Sequence, residues 1–275
     1  MKRCETIFFA VFVVLTGCNP RPILAEEAKP RLELMYVGNE GVLISDGERS
    51  VLIDGLHREY GPDYLFPPPD LLGAMETGKP PFDTVRVVLV SHVHLDHFHA
   101  ESVARHLKAN PKAVLVSTAQ TMAEIARGYS AHETIRSQTH EITPGLKERM
   151  VYERDGIRIT VLGMKHGGER HWWVSNLGHI IEIGGRKLFH FGDADTAAEN
   201  FASFNLPAEK IDVAFVPYWF LLSESGRAVV RNNIGAQTNI AVHLPPDTTQ
   251  EDIQNLEAAY PGIRAFVSVK QKMKF

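Results

Sequence analysis

Cysteine is nearly absent from this sequence. Its 275 residues include two cysteines, Cys4 and Cys18, both close to the N-terminus. The rest of the chain therefore has no disulfide to stabilise its fold and no thiolate to offer a metal ion. A metal site in the remaining chain would use histidine and carboxylate ligands instead.

Positive charge is not in excess either. Lysine and arginine together number 29 against 33 aspartates and glutamates, which gives a net charge of -4. Nucleic-acid-binding proteins usually carry a basic patch or stripe. The composition therefore argues against nucleic acid as a partner and is typical of an ordinary globular domain.

One apolar run stands out, at residues 7–15, directly after Lys2 and Arg3. It is too short to span a membrane as a helix, but it suits the core of a signal peptide. The run ends in Leu15-Thr16-Gly17-Cys18, which resembles the lipobox of bacterial lipoproteins. We therefore expect a signal peptide over residues 1–17, a lipid on Cys18 and a proline-containing tether over residues 18–30.

This N-terminal segment predicts an exported lipoprotein that is anchored to a membrane and faces the periplasm or the cell exterior. The alternative is an ordinary secretory signal in which Cys18 is incidental. The protein would then be soluble in the periplasm or secreted.

Residues 31–275 are expected to form one domain, in which strands occur in clusters with helices between them. This order favours an α+β fold of packed sheets with helices outside. Asp155-Gly156 and Gly184-Gly185 are predicted hairpin turns. The predicted strands cover residues 32–37, 41–45, 50–54, 85–90, 113–117, 211–216, 239–243 and 265–269, and the predicted helices cover 101–108, 121–127 and 249–259.

Residues 57–82 are predicted to be a long loop, because prolines at 67–69 and 80–81 argue against a regular element. Loops of this length in a compact domain are usually functional or mobile. Tyr60, Tyr64 and Phe66 could face a substrate, and surface packing explains them equally well.

The most informative segment is Ser91-His92-Val93-His94-Leu95-Asp96-His97, which follows a predicted buried strand. His92 and His94 are two positions apart, so both point to the same side of an extended chain. Imidazole and carboxylate groups suit zinc, iron or manganese. A chance cluster of surface residues fits poorly, because polar groups at the end of a buried strand need partners.

This segment resembles the H-x-H-x-D-H motif of the metallo-β-lactamase superfamily. Four further segments resemble the other motifs of the superfamily in the same order: residues 35–42 with 51–54, Lys165-His166-Gly167, His190-Phe191-Gly192-Asp193 and Ala241-Val242-His243-Leu244-Pro245. Together they cover nearly the whole of residues 31–275. The resemblance implies a four-layer αββα sandwich with metals at one edge between its two sheets.

The resemblance also implies the ligands of two divalent metal ions, with zinc the first choice and manganese or iron as alternatives. His92, His94 and His166 would hold one ion, Asp96, His97 and His243 the other, and Asp193 would bridge them. The expected nucleophile is a hydroxide between the two metals. Asp96 and His171 are the candidate catalytic residues, His171 as the acid that protonates the leaving group.

Other residues are assigned by position alone. Asp54 and Asp195 are candidates to orient the ligand histidines, although Asp195 could instead cap a helix beginning near Thr196. Trp172 and Trp173 could face the substrate or pack together. His57 is ambiguous, and structural roles are expected for His99, His106, His132, His140, His179 and His190.

The implied reaction is hydrolysis of an ester, lactone, thioester or phosphodiester bond in a small molecule. One class of true β-lactamases uses a cysteine ligand and the others lack an aspartate where Asp193 stands, so the chain is most similar to the lactonase-like branch. Two alternatives stay open. One is an oxygenase of the same fold with a single iron, and the other is a non-catalytic metal-binding lipoprotein.

Overall fold

A computed structural model of the protein describes Met1 and residues 32–275. Apart from Met1, the predicted signal peptide, the lipidation site at Cys18 and the tether lie outside the described residues. In the part of the chain that the structure describes, no helix is long and apolar enough to cross a membrane.

Two seven-stranded sheets form the centre of residues 32–275. In the first sheet, the early strands pair antiparallel and those from β3 to β6 pair in parallel. Its strands, in spatial order, are β14 (Lys272–Lys274), β1 (Glu33–Gly38), β2 (Gly41–Ser45), β3 (Ser50–Ile53), β4 (Val85–Leu89), β5 (Val114–Ser117) and β6 (Thr139–Glu141).

The second sheet is also mixed. Strands β7 to β10 pair antiparallel and β10 to β13 pair in parallel. In spatial order the strands are β13 (Arg264–Ala265), β12 (Thr238–Val242), β11 (Val213–Pro217), β10 (Arg186–His190), β9 (Ser175–Ile183), β8 (Ile157–Lys165) and β7 (Arg149–Arg154).

The hairpin turns predicted at Asp155-Gly156 and Gly184-Gly185 are confirmed. They join β7 to β8 and β9 to β10, and all four residues have positive φ. Two consecutive left-handed residues are what the tight two-residue hairpin turn requires. Glycine adopts this conformation at little cost, and aspartate tolerates it better than most residues.

Helices cover the outer face of each sheet. The first sheet carries α1 (Pro69–Glu76), α2 (Ala100–Ala109) and α3 (Ala119–Gly128). The second carries α4 (Glu199–Ala202), α5 (Leu206–Glu209), α6 (Trp219–Leu222), α7 (Glu224–Val229) and α8 (Gln250–Ala259). Short 3₁₀-helices lie at Phe82–Thr84, His132–Gln138 and Glu169–His171, and a π-helical turn lies at Val230–Ile234.

Side chains alternate between the two faces of each strand, and this alternation explains the four layers. In β1, Leu34 and Tyr36 point into the core between the sheets, whereas Met35 and Val37 point toward the helices. Both faces of the strand are apolar, so each sheet needs a cover on both sides. The predicted α+β class and αββα sandwich are confirmed.

Three local predictions are wrong. Helix α1 interrupts the predicted loop 57–82, because Pro69 occupies the first helical position, where a missing N–H costs nothing. The strand predicted at residues 265–269 is reduced to β13. No helix starts at Thr196: Asp195 accepts a hydrogen bond from the Ala197 N–H, and α4 begins at Glu199.

Candidate metal centre

All the predicted ligands lie at one edge of the sandwich. Strands β3 and β4 run in parallel, and so do β10, β11 and β12, while β8 shares their direction across the antiparallel β9. The ends of these strands therefore meet at the same edge. The residues that follow them are Asp54 after β3, residues 91–97 after β4, His166 after β8, Asp193 after β10 and His243 after β12.

A first group of ligand atoms comes from His92, His94, His166 and Asp193, all within 4.8 Å of one another. His92 Nε2 lies 3.1 Å from His94 Nδ1. Asp193 Oδ2 lies 3.6 Å from His166 Nε2 and 3.9 Å from His92 Nε2. Three imidazole nitrogens and one carboxylate oxygen thus surround a common point.

A second group comes from Asp96, His97, Asp193 and His243, again within 4.8 Å. Asp96 Oδ2 lies 3.3 Å from His243 Nε2 and 3.4 Å from His97 Nε2. Asp193 Oδ1 lies 3.2 Å from His97 Nε2 and 3.7 Å from His243 Nε2. Asp193 therefore presents one oxygen to each group.

These groups fit divalent metal ions. A tetrahedral zinc ion with bonds of about 2.0–2.1 Å holds its ligand atoms about 3.3 Å apart, close to the spacings found here. Three of the atoms that face the centre are buried and have no hydrogen-bond partner: His166 Nε2, Asp193 Oδ1 and His243 Nε2. Buried polar atoms need partners, and a bound cation would supply one to all three.

Neighbouring groups hold three of the five ligand histidines with Nε2 toward the centre. His97 Nδ1 lies 2.9 Å from Asp54 Oδ2, and His92 Nδ1 lies 2.9 Å from Ser91 Oγ, which donates to Asp54. His166 Nδ1 lies 2.6 Å from the Gly167 carbonyl oxygen. With each Nδ1–H donating to its oxygen, the Nε2 atoms face the centre, where a metal ion would take the place of any proton on them.

The first group of histidines is neutral. Burial, together with the neighbouring His166, lowers the pKa of His94 to about 4. Burial also lowers the pKa of His92 and His166. Neutral imidazole is the form that binds a metal ion.

The second group attracts positive charge. Burial alone would lower the pKa of His97, but Asp193 and Asp96 outweigh it and raise that pKa well above its usual value. Burial would likewise raise the pKa of Asp96 and Asp193, but His97 and His243 outweigh it and lower both. These carboxylates are ionised and favour a cation between them.

Asp54 is fully buried behind the ligands and contacts His97, as the role predicted for it requires. Replacing Asp54 by asparagine should weaken metal binding by about 10- to 100-fold, because the amide orients His97 but lacks the charge that strengthens it as a ligand. Competition with a coloured zinc chelator would measure the change. The matched control is Asp212→Asn, an aspartate paired with Arg186 at the opposite edge of the sandwich. Equal zinc affinity in both variants would contradict the role of Asp54.

Sequence reasoning missed Asn39 and Glu40, which form the turn between β1 and β2. Asn39 Nδ2 donates to Asp96 Oδ2 over 3.1 Å, and the carbonyl oxygen of Asn39 accepts from the His243 N–H. Glu40 is buried, and burial together with the nearby Asp193 raises its pKa. The available signal was an acidic residue in a turn between two apolar strands.

His190 also contacts the surroundings of the metal centre, which its predicted structural role did not include. Its Nδ1 accepts from the Gly192 N–H, and its Nε2 donates to the Glu40 carbonyl oxygen over 3.0 Å. His190 therefore joins the β1–β2 turn to the backbone that leads to Asp193. His57 is buried, and burial lowers its pKa to about 4, which suits a structural role.

The segment after His166 brings two more predicted residues to the site. The ring of His171 lies 4.7 Å from that of His94 and 4.9 Å from that of His166. Trp173 lines the cavity above the ligands, whereas Trp172 is 80% exposed and does not. Tyr60 and Tyr64 line the same cavity, but Phe66 does not.

Asp195 does not orient a ligand histidine. Its carboxylate pairs with Lys165 Nζ at 3.2 Å and caps the Ala197 N–H. That prediction is wrong, because the chain turns at Ala194, which bridges to His166 through the backbone instead.

A two-sheet αββα sandwich with histidines and aspartates at the strand ends defines a metallo-β-lactamase-type fold. Residues 62–260, well over half of the chain, match the family model described as the β-lactamase superfamily domain. The protein belongs to this family. No curated protein matches the chain.

Solved structures share the fold at low sequence identity. A protein from Parabacteroides distasonis described as a metal-dependent hydrolase is 13% identical, with a TM-score of 0.57 over 87% of this chain and 94% of its own. The isothiocyanate hydrolase from Delia radicum gut bacteria is 15% identical, with a TM-score of 0.57 over 88% and 99%. CmlA, a diiron β-hydroxylase from Streptomyces venezuelae, is 12% identical, with a TM-score of 0.56 over 89% and 54%.

Proposed function

We propose that the protein is a binuclear metal-dependent hydrolase that cleaves an ester, lactone, thioester or phosphodiester bond in a small molecule. The observation that carries the proposal is the position of Asp193, whose two oxygens face two separate groups of ligand atoms. The similarity to structures described as metal-dependent hydrolases supports it at the level of the fold.

Two divalent ions, with zinc the first choice, would lower the pKa of a shared water and polarise the bond to be cleaved. His92, His94 and His166 would hold one ion, and Asp96, His97 and His243 the other. Asp193 sets the spacing of the two groups. Asp54 and Ser91 fix the orientation of His97 and His92, so the ligand atoms need little rearrangement.

We propose His171 as the acid that protonates the leaving group, because its ring lies beside His94 and His166. Arg170 Nε donates to His171 Nε2 over 2.8 Å, which leaves the ring proton of a neutral His171 on Nδ1. The ring lies beside His94 at the edge of the first group. To protonate a leaving group, the ring would first have to exchange the hydrogen bond from Arg170 for a second proton on Nε2, so that it donates as an imidazolium and ends as a neutral imidazole.

A large cavity opens above the ligands. It has a volume of about 1520 Å³, and His94, Asp96, His166, Asp193 and His243 form its floor. Sites for small molecules usually measure about 300–1,000 Å³, so this cavity admits a substrate of ordinary metabolite size. The volume supports the small-molecule substrate of the proposal.

The proposal places the reaction outside the cytoplasm. The basic start, the apolar run at residues 7–15 and the lipobox-like sequence before Cys18 support export and a lipid anchor. The substrate would then be a molecule of the periplasm or the cell exterior.

Metal analysis of the purified protein tests the function. We expect about two equivalents of zinc, manganese or iron per chain, and metal-dependent hydrolysis of at least one bond type in a panel of esters, lactones, thioesters and phosphodiesters. A single iron with oxygen-dependent turnover would favour an oxygenase. No bound metal after incubation with zinc, manganese and iron would favour a binding protein and refute the hydrolase.

A further inference from the structure

Aromatic side chains line the cavity on two sides of the ligands. On the side of His243, the Trp219 ring lies 4.9 Å and the Tyr64 ring 5.5 Å from the imidazole. On the opposite side, the ring of Trp173 lies 6.3 Å from that of His94. A molecule that reaches the ligands therefore passes between aromatic surfaces.

Hydrogen bonds fix the backbone around Trp173. Gln120 on α3 donates to the Trp173 carbonyl oxygen over 2.7 Å and accepts from the Ser175 N–H over 2.9 Å. This pair of hydrogen bonds fixes the backbone on both sides of Val174, whose side chain is buried. The backbone of Trp173 is thus held beside the cavity by hydrogen bonds within the protein.

The wall of this cavity exposes a large apolar area to water. Tyr60 is 54% exposed, Leu95 52% and Trp173 50%, and all three line the cavity. Exposed apolar groups scattered singly are ordinary, but a cluster around a concave site usually marks a surface that a ligand covers.

The cavity lining has few unpaired charges outside the metal ligands. Apart from the ligands, three carboxylates and two guanidinium groups line it, and most are paired. Glu124 pairs with Arg127 at 2.9 Å, and Arg170 donates to His171. The other two carboxylates, Glu101 and Asp195, pair with Arg105 at 2.6 Å and Lys165 at 3.2 Å. Among the described residues, Arg170 is the lining guanidinium without a carboxylate partner, so outside the metal centre a phosphodiester would meet a single unpaired positive charge.

We infer that the substrate is an uncharged ester, lactone or thioester whose aromatic or bulky apolar group lies against Trp173. The inference rests on the proposed hydrolase and narrows it, since it excludes phosphodiesters. The indole face offers a large apolar contact to a flat ring, and such pairs are attractive beyond the area that they bury.

Binding of three hydroxamates to the zinc-loaded full-length protein, followed by calorimetry, tests this inference without turnover. Acetohydroxamate offers the metal-binding group alone, benzohydroxamate adds an uncharged ring, and 4-carboxybenzohydroxamate adds a negative charge to that ring. We expect benzohydroxamate to bind about tenfold more tightly than acetohydroxamate. The carboxylate derivative should bind no more tightly than benzohydroxamate.

Trp173→Ala should reduce the advantage of benzohydroxamate to about twofold and leave acetohydroxamate binding unchanged. Trp172→Ala is the matched control, because the neighbouring indole is exposed and does not line the cavity. It should keep the tenfold advantage. Circular dichroism of both variants would check that each is folded.

The outcomes separate the two proposals. If acetohydroxamate does not bind, the metal centre is refuted, and the inferred substrate class, which depends on it, is refuted as well. If acetohydroxamate binds but the ring adds nothing, or Trp173→Ala keeps the full advantage, the hydrolase stands and the aromatic contact is refuted. Tighter binding of the carboxylate derivative would instead assign an anionic substrate.

Discussion

Replacing Asp193 by alanine should lower kcat by roughly a thousandfold or more, because this side chain alone contributes to both groups of ligand atoms. Without it, five histidine nitrogens and one remaining carboxylate would have to hold two cations with less negative charge between them. The metal content should fall from about two equivalents to one or fewer. Steady-state kinetics and elemental analysis of the same preparation would measure both effects.

The control for this prediction is Asp83→Ala. Asp83 is exposed and precedes β4, at the edge of the sheet opposite the metal centre. It should retain two equivalents of metal and a kcat close to that of the parent protein. Both variants should be exported normally. Unchanged turnover in Asp193→Ala would refute a mechanism in which the two metals share this carboxylate.

Replacing Gly163 by alanine should lower the free energy of unfolding by about 2–4 kcal/mol. Gly163 is buried in the middle of β8, and a Cβ there would overlap the carbonyl oxygen of Gly145 and lie 2.7 Å from that of Pro144. The segment cannot move away freely, because Gly163 exchanges backbone hydrogen bonds with Lys147 and Glu148. Urea unfolding followed by circular dichroism would measure the loss.

Gly73→Ala is the matched control for backbone crowding. Gly73 lies in α1, where an added Cβ meets no atom within 4 Å. Alanine suits a helix better than glycine, so stability should stay the same or rise by up to about 1 kcal/mol. If the two alanine variants unfold at the same urea concentration, the close approach of residues 144–148 to β8 is not important for stability.

Much of the site was predictable because its signals are local. His92, His94, Asp96 and His97 stand within six positions at the end of a β-branched apolar run, and that spacing alone indicates a metal site. His166, Asp193 and His243 carry weak signals by themselves. They became candidates through their order along the chain, and the structure brings them together with the first four.

The contacts that surround the ligands were less predictable. Asn39 and Glu40 reach the centre through a turn, and His190 reaches it from the end of a strand in the other sheet. In each case the residue type is common and its neighbours in sequence say nothing about its partner. Asp195 shows the reverse, since its sequence position suggested a role near the ligands that its contact with Lys165 excludes.

The sequence by itself determined the elements with local causes: strands from apolar β-branched runs, hairpins from Asp155-Gly156 and Gly184-Gly185, and the dense ligand motif after β4. The tertiary structure alone decided which distant residues meet, including the aromatic surface formed by Tyr64, Trp173 and Trp219. These three lie on separate connections after strands of both sheets. Their meeting depends on how two sheets stack and align their strand ends, and that packing is a property of the whole chain rather than of any segment.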